Sequence, residues 1–263
     1  MQGSKAMAGR MATRRQLLFL GAGVALWAGG TRIVPRIFER FAGFEFIALD
    51  RPEGFRALAS GNGAVSSGQA VDFMVGLEPV DPLPTGLMDR VEEHPQTFLF
   101  DASGRIGATP VAYFFDYYCP YCRVLSGHLS DLVGNSEIAL TRHHLPIFGE
   151  ASNLASRAAI GAELLGEGEA LHRRLVQTPV RVTPSYLEEV AEDLGLAWPE
   201  LWRTMQSPEV TARLDRSRAL SRLFAFVGTP ALVVGRTLVQ GEIPKRRLSA
   251  LVELERERRP PGS

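Results

Sequence analysis

Cysteine is nearly missing from this chain: 263 residues contain two. That scarcity excludes a disulfide-stapled scaffold, and it leaves no further thiol to complete a four-thiolate metal site. An excess of charge of one sign is missing too, with 29 basic and 29 acidic residues, so no global field points to nucleic acid. The five histidines are scattered, and no metal site or cofactor is expected. Residues 31–97 carry no repeat, no phosphate loop and no ligand cluster. A long hydrophobic run is also lacking. The one apolar segment near the N-terminus has roughly a dozen residues against the ~20 of a spanning helix.

What is present suffices for a folded body. Hydrophobic residues make up 45%, enough to bury a core and to argue against disorder. Before that body, Thr13-Arg14-Arg15-Gln16-Leu17-Leu18 opens the apolar segment that runs to about Gly30. A basic region, a short apolar region and then small residues describe an export signal, and the Arg pair resembles a twin-arginine signal. Residues 1–30 are therefore read as a signal that places the body in the periplasm, tethered to the membrane if the signal stays uncleaved. Residues 31–96 form an N-terminal extension. Phe38, Phe41, Phe44, Phe46 and Ile47 suggest an apolar patch, Gln69–Val75 a short strand, and Glu92-Glu93-His94 a solvated loop before Pro95.

Both cysteines fall in Tyr117-Tyr118-Cys119-Pro120-Tyr121-Cys122, after the apolar run Val111–Phe115. A run apolar at nearly every position predicts a strand buried on both faces. From Cys122 the pattern turns helical, with Val124, Leu125, Leu129, Leu132 and Val133 in phase and Gly134-Asn135 as the stop. Cys119 then sits at a helix N-terminus with Pro120 in the first turn, where its missing N–H costs little. Unsatisfied N–H groups and the helix dipole favour an anion there, so the Cys119 thiol should ionise readily and Cys122, one turn on, should resolve. A strand feeding a CxxC at a helix start reads as dithiol exchange chemistry.

Thr97–Phe100 and Pro110–Phe115 read as strands with Asp101, Ser103 and Gly104 turning between them, and Ile138–His144 as the next strand. His143 and His144 should face opposite sides of that strand and so not share an ion. Residues 151–223 read as an inserted helical subdomain of about five helices, started in part by Thr183-Pro184, Trp198-Pro199 and Ser207-Pro208. The arginines at 213, 216, 218 and 222 read as the wet face of its last helix. Val227–Val234 reads as a strand opened by Pro230. Gly235-Arg236 is its turn, Thr237–Gln240 its return strand, and a final helix starts at Lys245.

The stretches Phe114–Cys122, Leu145-Pro146-Ile147-Phe148-Gly149 and Gly228-Thr229-Pro230-Ala231, in this order, resemble the DsbA-like branch of the thioredoxin superfamily over residues 97–258. The resemblance implies an α/β thioredoxin-like fold, a central mixed sheet flanked by helices, with the insertion at about 151–223 and a tail at 259–263. It implies a cis Thr229-Pro230 bond lying against Cys119, with Pro120, Tyr121, Thr229 and Pro230 supporting the catalytic pair Cys119 and Cys122. The CxxC at a helix start in an exported chain reads as a protein thiol–disulfide oxidoreductase, acting as oxidant on substrate proteins with cysteine thiols and recycled by a membrane or periplasmic redox partner; the resemblance implies the dithiol chemistry and not its direction. Tyr113 stands where many relatives carry a buried Glu, and Tyr121 where strong oxidants carry His; Asp116 reads as a strand-end turn residue. A disulfide reductase or isomerase, and a redox-inactive peptide-binding chaperone, are the alternatives.

Overall fold

The computed structural model describes residues 43–59, 82–101, 107–178 and 180–258. The chain divides into units Met1–Phe44 and Glu45–Ser263, and every element below belongs to the second. The expected export signal, Phe38 and Phe41, the strand at Gln69–Val75, Ser103, Gly104 and the tail lie outside the described residues. No helix among the described residues is long and apolar enough to cross a membrane.

Six strands form one mixed sheet: β1 (Phe46–Ala48), β2 (Arg56–Leu58), β3 (Thr109–Phe115), β4 (Ile138–His144), β5 (Ala231–Val234) and β6 (Thr237–Gln240), in the order β1-β2-β6-β5-β3-β4. β3 runs parallel to β4, with Phe115 opposite His144, and antiparallel to β5, with Phe114 opposite Ala231. Val111 to Phe115 are buried throughout, as a strand covered on both faces requires. Side chains alternate across the sheet. Ala112, Phe114, Ala231 and Val233 share one core cluster with Leu87, Val91, Leu99 and Leu220. On the other face, Thr109 Oγ1 donates to the Val252 carbonyl at 3.1 Å and the Tyr113 hydroxyl to the Cys122 carbonyl at 2.8 Å.

The helices are α1 (Leu87–Glu93), α2 (Pro95–Leu99), α3 (Pro120–Gly134), α4 (Glu150–Leu164), α5 (Gly168–Gln177), α6 (Pro184–Asp193), α7 (Trp198–Met205), α8 (Pro208–Leu223) and α9 (Lys245–Glu257). α3 packs on β4, and α9 on β3 and β5; α1 and α2 pack on α8; and α4 packs against α5, α7 and α8. Thr183 and Ser207 cap α6 and α8 by accepting from the Tyr186 and Val210 N–H groups, as Ser and Thr at that position should.

Several sequence expectations change. Thr97–Phe100 is not a strand. Pro95 opens α2, and Leu99 is buried against α8; a run this short does not distinguish strand from helix by period. Glu92 and Glu93 end α1 rather than lie in a loop. Phe46 and Ile47 belong to β1, and β2 pairs in parallel with β6, so the sheet begins well before residue 97. β5 starts at Ala231, not Val227, because Pro230 has no N–H for the ladder; its carbonyl instead accepts from the Gly241 N–H at 2.8 Å. The arginines of α8 are not a single wet face. Arg213 pairs with Glu163 at 2.8 Å, Arg216 with Asp101 at 3.6 Å, and Arg218 with the buried Asp215.

Candidate active site

Cys119 is the N-cap of α3 and has extended backbone (φ −78°, ψ 116°), with Pro120 as the first helical residue. Its carbonyl accepts from the N–H groups of Cys122 (3.1 Å) and Arg123 (3.3 Å), which begins the helix. Its own N–H donates to the Asp116 carbonyl at 3.2 Å, which ties the motif to the end of β3. Across from it, the Thr229–Pro230 bond is cis. The Cys119 Sγ lies 3.3 Å from the Thr229 carbonyl oxygen, a contact to which a protonated thiol donates. The structure thus brings together Cys119, Pro120, Tyr121, Cys122, Thr229 and Pro230. Tyr121 points outward and is 57% exposed.

Both cysteines are unpaired thiols, and both are buried. Exposure therefore does not distinguish them; their hydrogen-bond surroundings do. The Cys119 thiol is lowered from 9.0 to about 6, chiefly by donation from the Cys122 thiol. Burial opposes this, whereas Thr229 and the N–H groups of Cys122 and Tyr121 favour the thiolate. The Thr229 hydroxyl is buried with no other hydrogen-bond partner, and so is available to that thiolate. The Cys122 thiol is pushed up by burial and by the neighbouring Cys119. The surroundings thus favour the thiolate at Cys119 and the thiol at Cys122.

Beneath Cys122, the Tyr113 hydroxyl is fixed by the Cys122 carbonyl and lies 3.3 Å from Ser126 Oγ. Burial and Cys122 raise its pKa well above the usual phenol range, so it stays protonated. Tyr117 bonds His172 Nδ1 at 2.9 Å, and the Tyr118 hydroxyl accepts from the Val182 N–H at 2.6 Å. Arg123 donates to the carbonyls of Tyr117 (3.4 Å) and Thr178 (2.9 Å). These bonds join the motif to α5 and the loop after it. The bonds to His172, Thr178 and Val182 link positions 55 to 64 apart in sequence, so no local signal announces them. Asp116 is more than a turn residue. It is fully buried, accepts from the Tyr118 N–H at 2.7 Å as a turn would, and reaches three further donors described below.

His143 and His144 face opposite sides of β4. His143 stacks on Phe114 and bonds the Leu99 carbonyl at 2.9 Å, whereas His144 lies against Phe115 and Tyr117. Among the described residues, no three His, Cys, Asp or Glu side chains converge in a way that would hold a metal.

A mixed sheet with a dithiol at the start of the helix after a buried strand, facing a cis-proline, defines a thioredoxin-like protein. The family model described as DSBA-like thioredoxin domain matches residues 110–252, more than half of the sequence, and the chain belongs to that family. Among solved structures, it is similar to a thioredoxin-like oxidoreductase from Silicibacter pomeroyi, at 34% identity and a TM-score of 0.57, over 62% of this chain and 98% of that one. A periplasmic thioredoxin-like protein from Salmonella enterica serovar Typhimurium matches at 29% identity and a TM-score of 0.51, over 61% and 94% of the two chains. The thiol-disulfide exchange protein alpha-DsbA2 from Wolbachia pipientis shares the fold, with a TM-score of 0.57 at 19% identity, over 64% and 95%. No curated protein matches the chain.

Proposed function

We propose that this chain is an exported protein thiol–disulfide oxidoreductase that oxidises substrate thiols. The observation that carries the reading is the asymmetry of the two thiols: Cys119 is favoured as thiolate and Cys122 as thiol. A substrate thiolate attacks Cys119 Sγ of the disulfide form, and Cys122 leaves and takes up a proton. A second substrate thiolate then attacks the substrate sulfur of the mixed disulfide and expels Cys119 as its stabilised thiolate. The substrate loses two electrons and two protons, and the Cys119–Cys122 pair gains the electrons. A lowered Cys119 pKa stabilises the reduced product and so favours giving the disulfide away. An external oxidant, in the membrane or the periplasm, must restore the pair. The periplasmic Salmonella relative and the twin-arginine-like segment support location outside the cytoplasm.

Exposed apolar side chains on the segments tied to the pair suit a polypeptide substrate. Tyr121 lies inside the motif, Val227 two residues before Thr229, and Ile147 and Phe148 in the loop bonded to Asp116. The test is a Cys122→Ser variant expressed in cells, with its mixed disulfides identified, beside the reduction potential of the wild-type pair. Trapped thiol substrates and a potential well above the thioredoxin value of about −270 mV are expected. A potential at or below that value would assign a reductant, and full biological activity of Cys119→Ser would leave only a binding role.

A further inference from the structure

We infer that Asp116 is a positioning residue for substrate, the joint that ties the exposed Ile147–Phe148 wall to the entry of the redox helix. This inference rests on the exchange reading above. The Asp116 carboxylate is fully buried, and both oxygens are occupied by protein donors. Oδ1 accepts from the Tyr118 N–H at 2.7 Å, one residue before the attacking cysteine. Oδ2 accepts from the N–H groups of Ile147 (2.7 Å) and Phe148 (3.2 Å) and from the Ser152 hydroxyl. One side chain therefore holds the entry to the redox helix, the loop after β4 and the first turn of α4.

The need for it is local. The N-cap of α4 is Gly149, at φ 85°, which has no side chain to accept from the helix start. Asp116, from another strand, supplies the acceptor, and a carboxylate near a helix N-terminus is favoured by the dipole. Among the described residues, no cation forms an ion pair with it. Its charge is spread over four directed hydrogen bonds, which fix angle as well as distance. Meanwhile Ile147 and Phe148 remain 45% and 49% exposed. Their backbones are anchored and their side chains face outward. A polypeptide joined by a disulfide to Cys119 sits at the start of α3, the segment that Asp116 ties to this wall. The occupant that fits is thus an extended segment with an apolar residue beside the reacting cysteine.

The test compares Asp116→Asn and Ser152→Ala with wild type, using a cysteine-containing peptide with an apolar neighbour and, separately, dithiothreitol. Asparagine matches the size but turns an N–H₂ toward N–H donors, so the links on one oxygen are lost. For Asp116→Asn, the KM for the peptide should rise about tenfold with kcat within about twofold. In Ser152→Ala, which keeps the Tyr118 bond, dithiothreitol turnover and the thiolate titration of Cys119 should not move. Ser152→Ala, which removes one of the four bonds, should raise the peptide KM by about threefold. Adding Ile147→Ser and Phe148→Ser to Asp116→Asn should raise the KM no further than those two substitutions alone, because the joint and the wall act as one unit. An unchanged peptide KM overturns the inference, and so does an equal loss with both reductants. If Asp116→Asn does not fold, the KM of Ser152→Ala decides. A wild-type protein inactive toward both reductants would instead reject the exchange reading itself.

Discussion

Two buried carboxylates hold the two ends of this sheet, and they are satisfied in opposite ways. Asp116, at the site end of β3, accepts only from neutral donors, three N–H groups and a hydroxyl. Glu255, on α9 beside β2 and β6 toward the β1 edge of the sheet, is paired with Arg56, and also accepts from Thr237 Oγ1 (2.8 Å) and the Arg236 N–H (3.0 Å). Arg56 in turn donates to Thr237 at 2.8 Å and lies over the Phe46 ring at 3.7 Å. Gly235, at φ 56°, leaves the room that Glu255 needs: a Cβ there would come within 2.5 Å of its Oε2. A charge–charge pair tolerates small shifts, because Coulomb attraction is non-directional. Four hydrogen bonds to one carboxylate do not. The far edge is built to hold strands together, and the site end is built to hold an angle.

Acid should divide the two ends most strongly. His143, His144 and His172 are buried and neutral near β4 and Tyr117; burial lowers His143 and His172 to about 3 and His144 well below its usual range. The unfolded chain takes up their protons near 6.5, whereas the folded one does not. Stability is therefore intact above that pH and falls as pH drops toward 3. Each histidine contributes about 1.4 kcal/mol per pH unit within that window. Denaturant unfolding followed from pH 7 to 4 should show a steep loss, and a His143→Phe variant a shallower one. A flat profile would mean that these rings are protonated in the folded state.

Arg56→Met should come next, at about 3 kcal/mol, because it strands the Glu255 carboxylate without its cation. The denaturation midpoint should fall while the thiolate titration of Cys119 stays put. A shift in that titration would erase the division drawn here between edge and site.

The same contrast explains what could be read from the chain. Cys119, Pro120, Cys122 and the β3–α3 junction were legible because strand, cap and helix are local patterns. So were the Thr183 and Ser207 caps. The Asp116 bond to Tyr118 was legible as a turn, being two residues long, but its bonds to Ile147, Phe148 and Ser152 cross 31 to 36 residues. Glu255 and Arg56 lie 199 residues apart, and nothing around either marks a partner. Pairing of β2 with β6 likewise rests on strands of three and four residues, too short for a period to show. The cis Thr229-Pro230 bond was supplied by family resemblance, since a proline reads the same in either isomer.

The smallest effect tests the thiol asymmetry directly. Reducing the pair takes up two protons below the Cys119 pKa and one above it, since Cys122 keeps its proton at neutral pH. For a two-electron couple, each proton contributes about 30 mV per pH unit. The reduction potential should therefore fall by about 60 mV per unit below pH 6 and by about 30 mV per unit above it, with the break at the Cys119 pKa of about 6. Thr229→Val removes a hydroxyl that favours the thiolate, and should move the break upward by about one unit, making the pair less oxidising by about 30 mV at neutral pH. Arg56→Met, at the far edge, should leave the break where it is. A slope of about 60 mV per unit across pH 5 to 8 would show that Cys119 holds its proton, and with it the argument for an oxidant would fail.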